Sequence, residues 1–192
     1  MIAIIDYNAG NIQSVRFALN RLGIDPVLTN NSEQLLKAEK VIFPGVGEAG
    51  TAMKFLNEKN LDKLIPHLSQ PVLGICLGLQ LMCEHSEESN TDCLGIFPVQ
   101  VKKFKPVLKV PHVGWNNISK LKSPLFKGCS ENSFVYYVHS YYAETGEDTI
   151  AETNYINPFS AALQKNNFYA VQFHPEKSSA VGEHILKNFL AL

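Results

Sequence analysis

Cysteines are few and scattered: Cys76, Cys83, Cys93 and Cys129 in 192 residues. None belongs to a Cys-x-x-Cys pair, which leaves little support for a zinc site or a redox dithiol. An excess of charge is also missing. Seventeen basic and 18 acidic side chains give a net charge of −1, so nothing electrostatic invites nucleic acid or an anionic membrane surface. No apolar run approaches the length of a membrane span. The opening Met1-Ile2-Ala3-Ile4-Ile5 meets Asp6 without a basic segment or a cleavage site, so no secretory leader is expected. Reduced thiols in the cytoplasm follow as the expectation. Repeats, low-complexity tracts and linkers are absent too, and 192 residues with 45% hydrophobic content fit one compact domain over residues 1–192.

What is present alternates. Ile2 to Ile5 reads as a buried strand, followed by a helix from near Asn11 with Ile12, Val15, Leu19 and Leu22 on one face and Gly23 as its stop. Val27-Leu28, a short helix capped by Ser32, and Val41-Ile42-Phe43 repeat the unit. Helices around Ala52 to Leu56 and Leu61 to Leu68, then a strand over Val72 to Ile75, complete it. Strands without polar alternation, separated by helices, predict an α/β fold with a mainly parallel sheet covered on both faces. Beyond residue 93 the segments Val99 to Phe104, Phe134 to Tyr142, Thr149 to Thr153, Ser160 to Leu163 and Tyr169 to Phe173 predict antiparallel strands added to that sheet. A turn at Asn166-Asn167 and a last helix over Val181 to Leu192 close the chain.

Cys76 carries the chemistry. It stands in Gly74-Ile75-Cys76-Leu77-Gly78-Leu79-Gln80, directly after an apolar strand. Glycines two before and two after a reactive residue fit the sharp strand-to-helix turn of a nucleophile elbow. A sulfur at a helix N-terminus is favoured as thiolate. Cys83, near Leu79 and Met82 in the same helical stretch, reads as core filler. Ligands of open α/β sheets bind beyond the carboxyl ends of the strands, and three loops end there: Asp6 to Asn11, Pro44-Gly45-Val46-Gly47, and the elbow. The Pro-Gly-Val-Gly loop is either a plain tight turn or, beside the elbow, half of an oxyanion hole completed by the N–H of Leu77. For a base, His174 in Gln172-Phe173-His174-Pro175-Glu176 is the suggestive histidine. With Pro175 holding an extended chain, residues 174 and 176 share one side, so Glu176 is expected to orient the ring.

Cys76 with His174-Pro175-Glu176 resembles the triad-type (class I) glutamine amidotransferases. Asp6 to Asn11, Pro44 to Gly47, Pro111-His112-Val113-Gly114-Trp115-Asn116, Val138-His139-Ser140-Tyr141 and His174 to Ser179 together are similar to the glutaminase subunits of imidazole glycerol phosphate synthases. Asn8 stands where that family often carries Gly. The resemblance implies a flavodoxin-like architecture and hydrolysis of glutamine through Cys76, His174 and Glu176. It places Val46, Gly47 and Leu77 at the oxyanion hole, and gives the amino-acid end of glutamine to Gln80, Glu88, Ser140 and Tyr141. It calls for no metal ion and no organic cofactor. With no second catalytic domain expected after residue 192, it implies a separate cyclase subunit, a (β/α)8 barrel forming a heterodimer through Asn11, Trp115, Tyr136 and Lys177. Trp115 as a core aromatic, Tyr136 as strand packing and Glu88 as a solvated charge remain open. So do two other functions: a paralogue feeding ammonia to another acceptor, as in surface-sugar amidation, and a silent regulatory subunit, against which the intact triad argues. A simple cysteine peptidase leaves the motifs outside the triad unexplained.

Overall fold

The computed structural model describes residues 1–7 and 12–192. In chain order, β1 (Ile2–Ile5), α1 (Ile12–Arg21), β2 (Val27–Thr29), α2 (Ser32–Lys37), β3 (Lys40–Phe43), α3 (Ala49–Glu58), α4 (Leu61–Leu64), β4 (Val72–Ile75) and α5 (Leu77–Met82) form the first half. The rest comprises β5 (Cys83–Ser86), β6 (Thr91–Asp92), β7 (Phe97–Lys103), β8 (His112–Asn117), β9 (Phe134–His139), β10 (Tyr141–Ala143), β11 (Thr149–Asn154), β12 (Pro158–Lys165), β13 (Phe168–Val171) and α6 (Ser179–Ala191). A seven-stranded sheet runs β11-β12-β13-β4-β3-β1-β2. The five strands from β13 to β2 are parallel, and β12 and β11 join antiparallel at the far edge. This is the expected α/β class. The additions are more divided than expected, because β10-β7-β5-β6 and the hairpin β8-β9 form sheets of their own.

Alternation along the strands sorts the core into two layers. Ala3, Ile5, Val41 and Phe43 pack toward α3, α4 and α5, with Leu56, Leu61, Leu79 and Phe97. Ile2, Ile4, Ile42, Leu73 and Ile75 pack toward α1 and α6, with Val15, Leu19, Ile185, Leu186 and Phe189. A strand apolar on both sides is what two helical covers require.

Local chemistry moved several boundaries. The cap of α2 is Asn31, not Ser32: its side chain accepts the Gln34 N–H at 3.1 Å while its own backbone is extended. Glu48 does the same for α3, accepting from the N–H groups of Gly50 and Thr51 at 2.8 and 2.7 Å. Ser89 and then Thr51 hold its carboxyl down at about 2. The helix expected over Leu61 to Leu68 continues past Leu64 only as a 3-10 turn, where Pro66 intervenes. Helix α5 stops at Met82, so Cys83 opens a strand, buried as expected. The single strand expected over Phe134 to Tyr142 breaks at Ser140 and changes sheets, β9 pairing with β8 and β10 with β7. Among the described residues no helix is long and apolar enough to cross a membrane.

Candidate active site

Cys76 sits between the last residue of β4 and the first of α5 with φ +54° and ψ −106°. A non-glycine residue in that region is strained, and such strain gathers at functional sites. Three hydrogen bonds hold it there. Cys76 N–H donates to the Val171 carbonyl at 2.8 Å, Leu77 N–H to the Gly45 carbonyl at 3.2 Å, and Gln80 N–H to the Cys76 carbonyl at 3.2 Å. Gly78 makes the turn possible: a Cβ there would lie 1.9 Å from the Phe43 carbonyl oxygen.

His174 and Glu176 come together, by a different route than expected. Pro175 does not extend the chain; it starts a 3-10 turn over Pro175–Lys177, and that turn swings Glu176 back. His174 Nδ1 donates to Glu176 Oε1 at 2.8 Å, with the side chains 1% and 0% exposed. The carboxylate thereby fixes the tautomer and aims Nε2 away. Nε2 is buried without a hydrogen bond of standard geometry, and the ring is coupled to Cys76. Burial opposes the charged imidazole, but Cys76 and then Glu176 more than reverse it, lifting its pKa to about 10. The stabilisation from this charged pairing is present below the unfolded pKa of about 6.5 and disappears as pH rises through about 10.

A cleft of about 240 Å³ opens over Cys76, lined by Val46, Gly47, Leu77, Gln80, Glu88, Pro111, Val138, His139, Ser140 and Tyr141. Every expected oxyanion and glutamine-binding residue therefore borders one space, with His174 and Glu176 behind the sulfur. Three details differ from expectation. The Leu77 N–H is engaged by the Gly45 carbonyl. Gln80 turns its Nε2 inward, to the Tyr141 carbonyl at 2.9 Å and Gln172 Oε1 at 3.0 Å, which leaves its Oε1 as the acceptor. Glu88 is no simply solvated charge: its Oε2 accepts the Ala49 N–H at 2.9 Å, and burial raises its pKa.

Sequence reasoning missed Gln172, whose Nε2 donates to Cys76 Sγ at 3.7 Å. The signal was available, since in an extended strand end residues 172 and 174 face one side. It also missed a buried pair of histidines under the cleft. His139 Nδ1 donates to the Tyr141 carbonyl at 2.8 Å, so its Nε2 must accept, and His112 Nδ1 donates to it at 3.0 Å. Burial lowers both pKa values, His112 to about 4 and His139 to about 3. Below pH 6.5 the unfolded chain therefore binds protons that the folded one refuses, and stability falls as pH drops toward 4. We expect roughly 3–5 °C of melting midpoint per histidine per pH unit across that window. Thermal unfolding against pH reads this directly, and His139→Phe should flatten the slope.

Of the expected interface residues, Asn11 lies outside the described residues. Trp115 is 52% exposed, not a core aromatic. It meets Tyr136 edge to face across β8-β9, with ring centroids 6.0 Å apart. Val113 and Phe134 are exposed beside them, and Lys177 is exposed on the 3-10 turn.

The model of the family described as glutamine amidotransferase class-I matches residues 3–192. "Imidazole glycerol phosphate synthase subunit HisH" of Bacteroides fragilis (strain YCH46) is 62% identical over 194 residues, covering 100% of this chain and 99% of that protein. The protein of the same name from Blochmanniella floridana is 47% identical over equal coverage. Among solved structures, a glutamine amidotransferase superposes with TM-score 0.78 at 18% identity, covering 100% of this chain and 98% of the other. A second, from Thermotoga maritima, gives 0.64 at 15% identity, covering 99% and 82%. With a strained cysteine, a buried His-Glu pair and relatives of this kind along its whole length, the chain belongs to the class I glutamine amidotransferase family, in its HisH branch.

Proposed function

We propose that this chain hydrolyses glutamine to glutamate and ammonia as the glutaminase subunit of an imidazole glycerol phosphate synthase, in histidine biosynthesis. The observation that carries the reading is a strained Cys76 facing a buried His174–Glu176 pair at the floor of a cleft. Cys76 attacks the γ-carboxamide carbon, and the charged His174 protonates the departing ammonia. The neutral ring then activates water to hydrolyse the glutamyl thioester, with Glu176 stabilising each imidazolium that forms. Glu88 and Gln80 Oε1 suit the substrate's α-ammonium as acceptors.

The oxyanion needs the N–H groups of Leu77 and Val46, and the first is occupied by the Gly45 carbonyl. Rotation of the Gly45–Val46 peptide withdraws that carbonyl and turns the Val46 N–H inward. One such donor is worth about 10²–10³ in rate, so the isolated chain should be a slow glutaminase. Ammonia is mostly ammonium in neutral water and needs direct delivery. The receiving partner is a separate cyclase subunit, a (β/α)8 barrel, docked on the exposed Val113, Trp115 and Phe134 beside the cleft; Val138, which pairs with Val113 across the hairpin, also lines the cleft.

The test is glutamate release from the chain alone and mixed with a cyclase subunit and its ribonucleotide substrate. A rise of at least about 10²-fold in the mixture is expected. Equal rates with and without the partner would reject the gated reading, and inactivity throughout would leave a silent subunit. Trp115→Ala is expected to weaken partner binding by about 2 kcal/mol, some thirtyfold, as a half-exposed aromatic anchor does. Its melting midpoint should stay within a few degrees of the parent's. Titration calorimetry and thermal unfolding check the two halves.

A further inference from the structure

We propose that Gln172 is a positioning residue for the nucleophile, donating its amide N–H to Cys76 Sγ and favouring the sulfur's ionised form. The proposal rests on Cys76 being the nucleophile. The register of β13 against β4 sets Val171 beside Ile75, so the next residues, Gln172 and Cys76, are neighbours across the end of the sheet. Gln172 is fully buried, and its backbone N–H is tied to the Ala161 carbonyl at 2.8 Å. The side-chain amide is then oriented by a chain of obligatory roles. The Tyr141 carbonyl can only accept, so Gln80 presents Nε2 to it at 2.9 Å. The same Nε2 reaches Gln172 Oε1 at 3.0 Å, and Gln172 is left with Nε2 toward the sulfur at 3.7 Å.

A buried amide N–H requires an acceptor, and here that acceptor is sulfur. A neutral thiol accepts weakly and can give its own proton to the Val138 carbonyl, 3.9 Å away. A thiolate cannot donate, and accepts strongly. The Gln172 N–H therefore interacts better with the ionised sulfur than with the thiol. Gln80 locks the amide so that it cannot turn its oxygen toward that charge. The His174 imidazole interacts with the same sulfur from that side of the strand end. Gln172 thus acts through Cys76, and Gln80 shapes the nucleophile from beneath while lining the cleft above.

The test uses the full chain and iodoacetamide, with alkylation of Cys76 followed by mass spectrometry across pH. Gln172→Met keeps the bulk and removes the donor. Alkylation at neutral pH is expected to slow about tenfold, and its pH profile to move up by about one unit. In complex with the cyclase subunit, kcat for glutamate release should fall about as much while KM for glutamine stays within about twofold. A Met variant that alkylates like the parent overturns the proposal. Should that variant not fold, the unaltered chain still decides it. The Gln172 side-chain amide signals in ¹⁵N NMR must titrate together with the ultraviolet absorbance of the Cys76 thiolate, and independence of the two overturns the proposal. Alkylation needs no glutamine, so a slowed alkylation in a chain that never releases glutamate would sink the proposed activity and leave the role of Gln172 standing.

Discussion

Alanine at position 76 is expected to reduce glutamate release by on the order of 10⁴-fold or more, to background, even with partner and acceptor ligand present. Removing one member of a nucleophile–base unit usually costs as much as removing all of it, and here no second thiol can substitute. Cys83 is fully buried, and its sulfur donates to the Leu79 carbonyl at 3.3 Å. Cys93 is bonded to the Thr91 carbonyl at 3.6 Å, with burial pushing its thiol up to about 12. The fold should be untouched, because Cys76 is held by backbone hydrogen bonds that alanine keeps. The informative control is the complex supplied with an ammonium salt in place of glutamine. The proposed docking face around Trp115 is unchanged in this variant, so the cyclase reaction should run at the parent's rate. Glutamine-driven activity lost with ammonium-driven activity retained assigns Cys76 to the release of ammonia alone. Loss of both would mean the variant had failed to assemble, and retained glutaminase would remove Cys76 from the mechanism.

The Gly78→Ala substitution should be among the most damaging single methyl groups at the described glycines. The added carbon would sit 1.9 Å from the Phe43 carbonyl oxygen and 3.0 Å from its carbon, and both are backbone at the end of a central strand. Neither can move aside like a flexible side chain, so α5 must lift from β3. Overpacking of this kind costs about 3 kcal/mol or more, about 10 °C in a domain of this size. Lifting α5 also breaks the elbow, so activity and Cys76 alkylation should fall with it. Gly23→Ala is the contrast. Gly23 has φ +78° but nothing within 4 Å of its missing Cβ, so alanine there meets conformational strain alone, about 1–2 kcal/mol. Its activity should match the parent's. If Gly78→Ala melts and turns over normally, α5 does not approach β3 as closely as described.

The parallel half of the fold was legible because each strand had to be apolar on both faces: Ile2 to Ile5 feeds both core layers, and no loop or turn obeys such a constraint. The later strands were less so. His112–Asn117 carries glycine, histidine and two asparagines, with Val113 its one β-branched residue, and forms a strand because β9 pairs with it along its length. Phe134 to Tyr142 looked continuous because the break at Ser140 is made by competing partners, not by a turn residue. At the site, Cys76, His174 and Glu176 were readable as chemistry, yet their backbone path was not: Pro175 could extend the chain or begin a 3-10 turn, and packing against α6 and β9 decided for the turn. Gln172 escaped notice because an amide has no distinctive chemistry until its acceptor is known.

The backbone of Tyr136 shows how little separates the outer face from the His174 imidazole. Its carbonyl receives the His174 N–H at 2.9 Å, and its N–H donates to Ser178 Oγ, whose hydroxyl closes the loop on the His174 carbonyl at 2.7 Å. One face of this strand bears Trp115's neighbour; its edge is a ruler against which the imidazole is set. There is no compliant layer in between to absorb error. On the proposed function, a partner seated badly on the hairpin would be felt as a misplaced proton donor, so the quality of docking and the rate of chemistry would share a single mechanical tolerance.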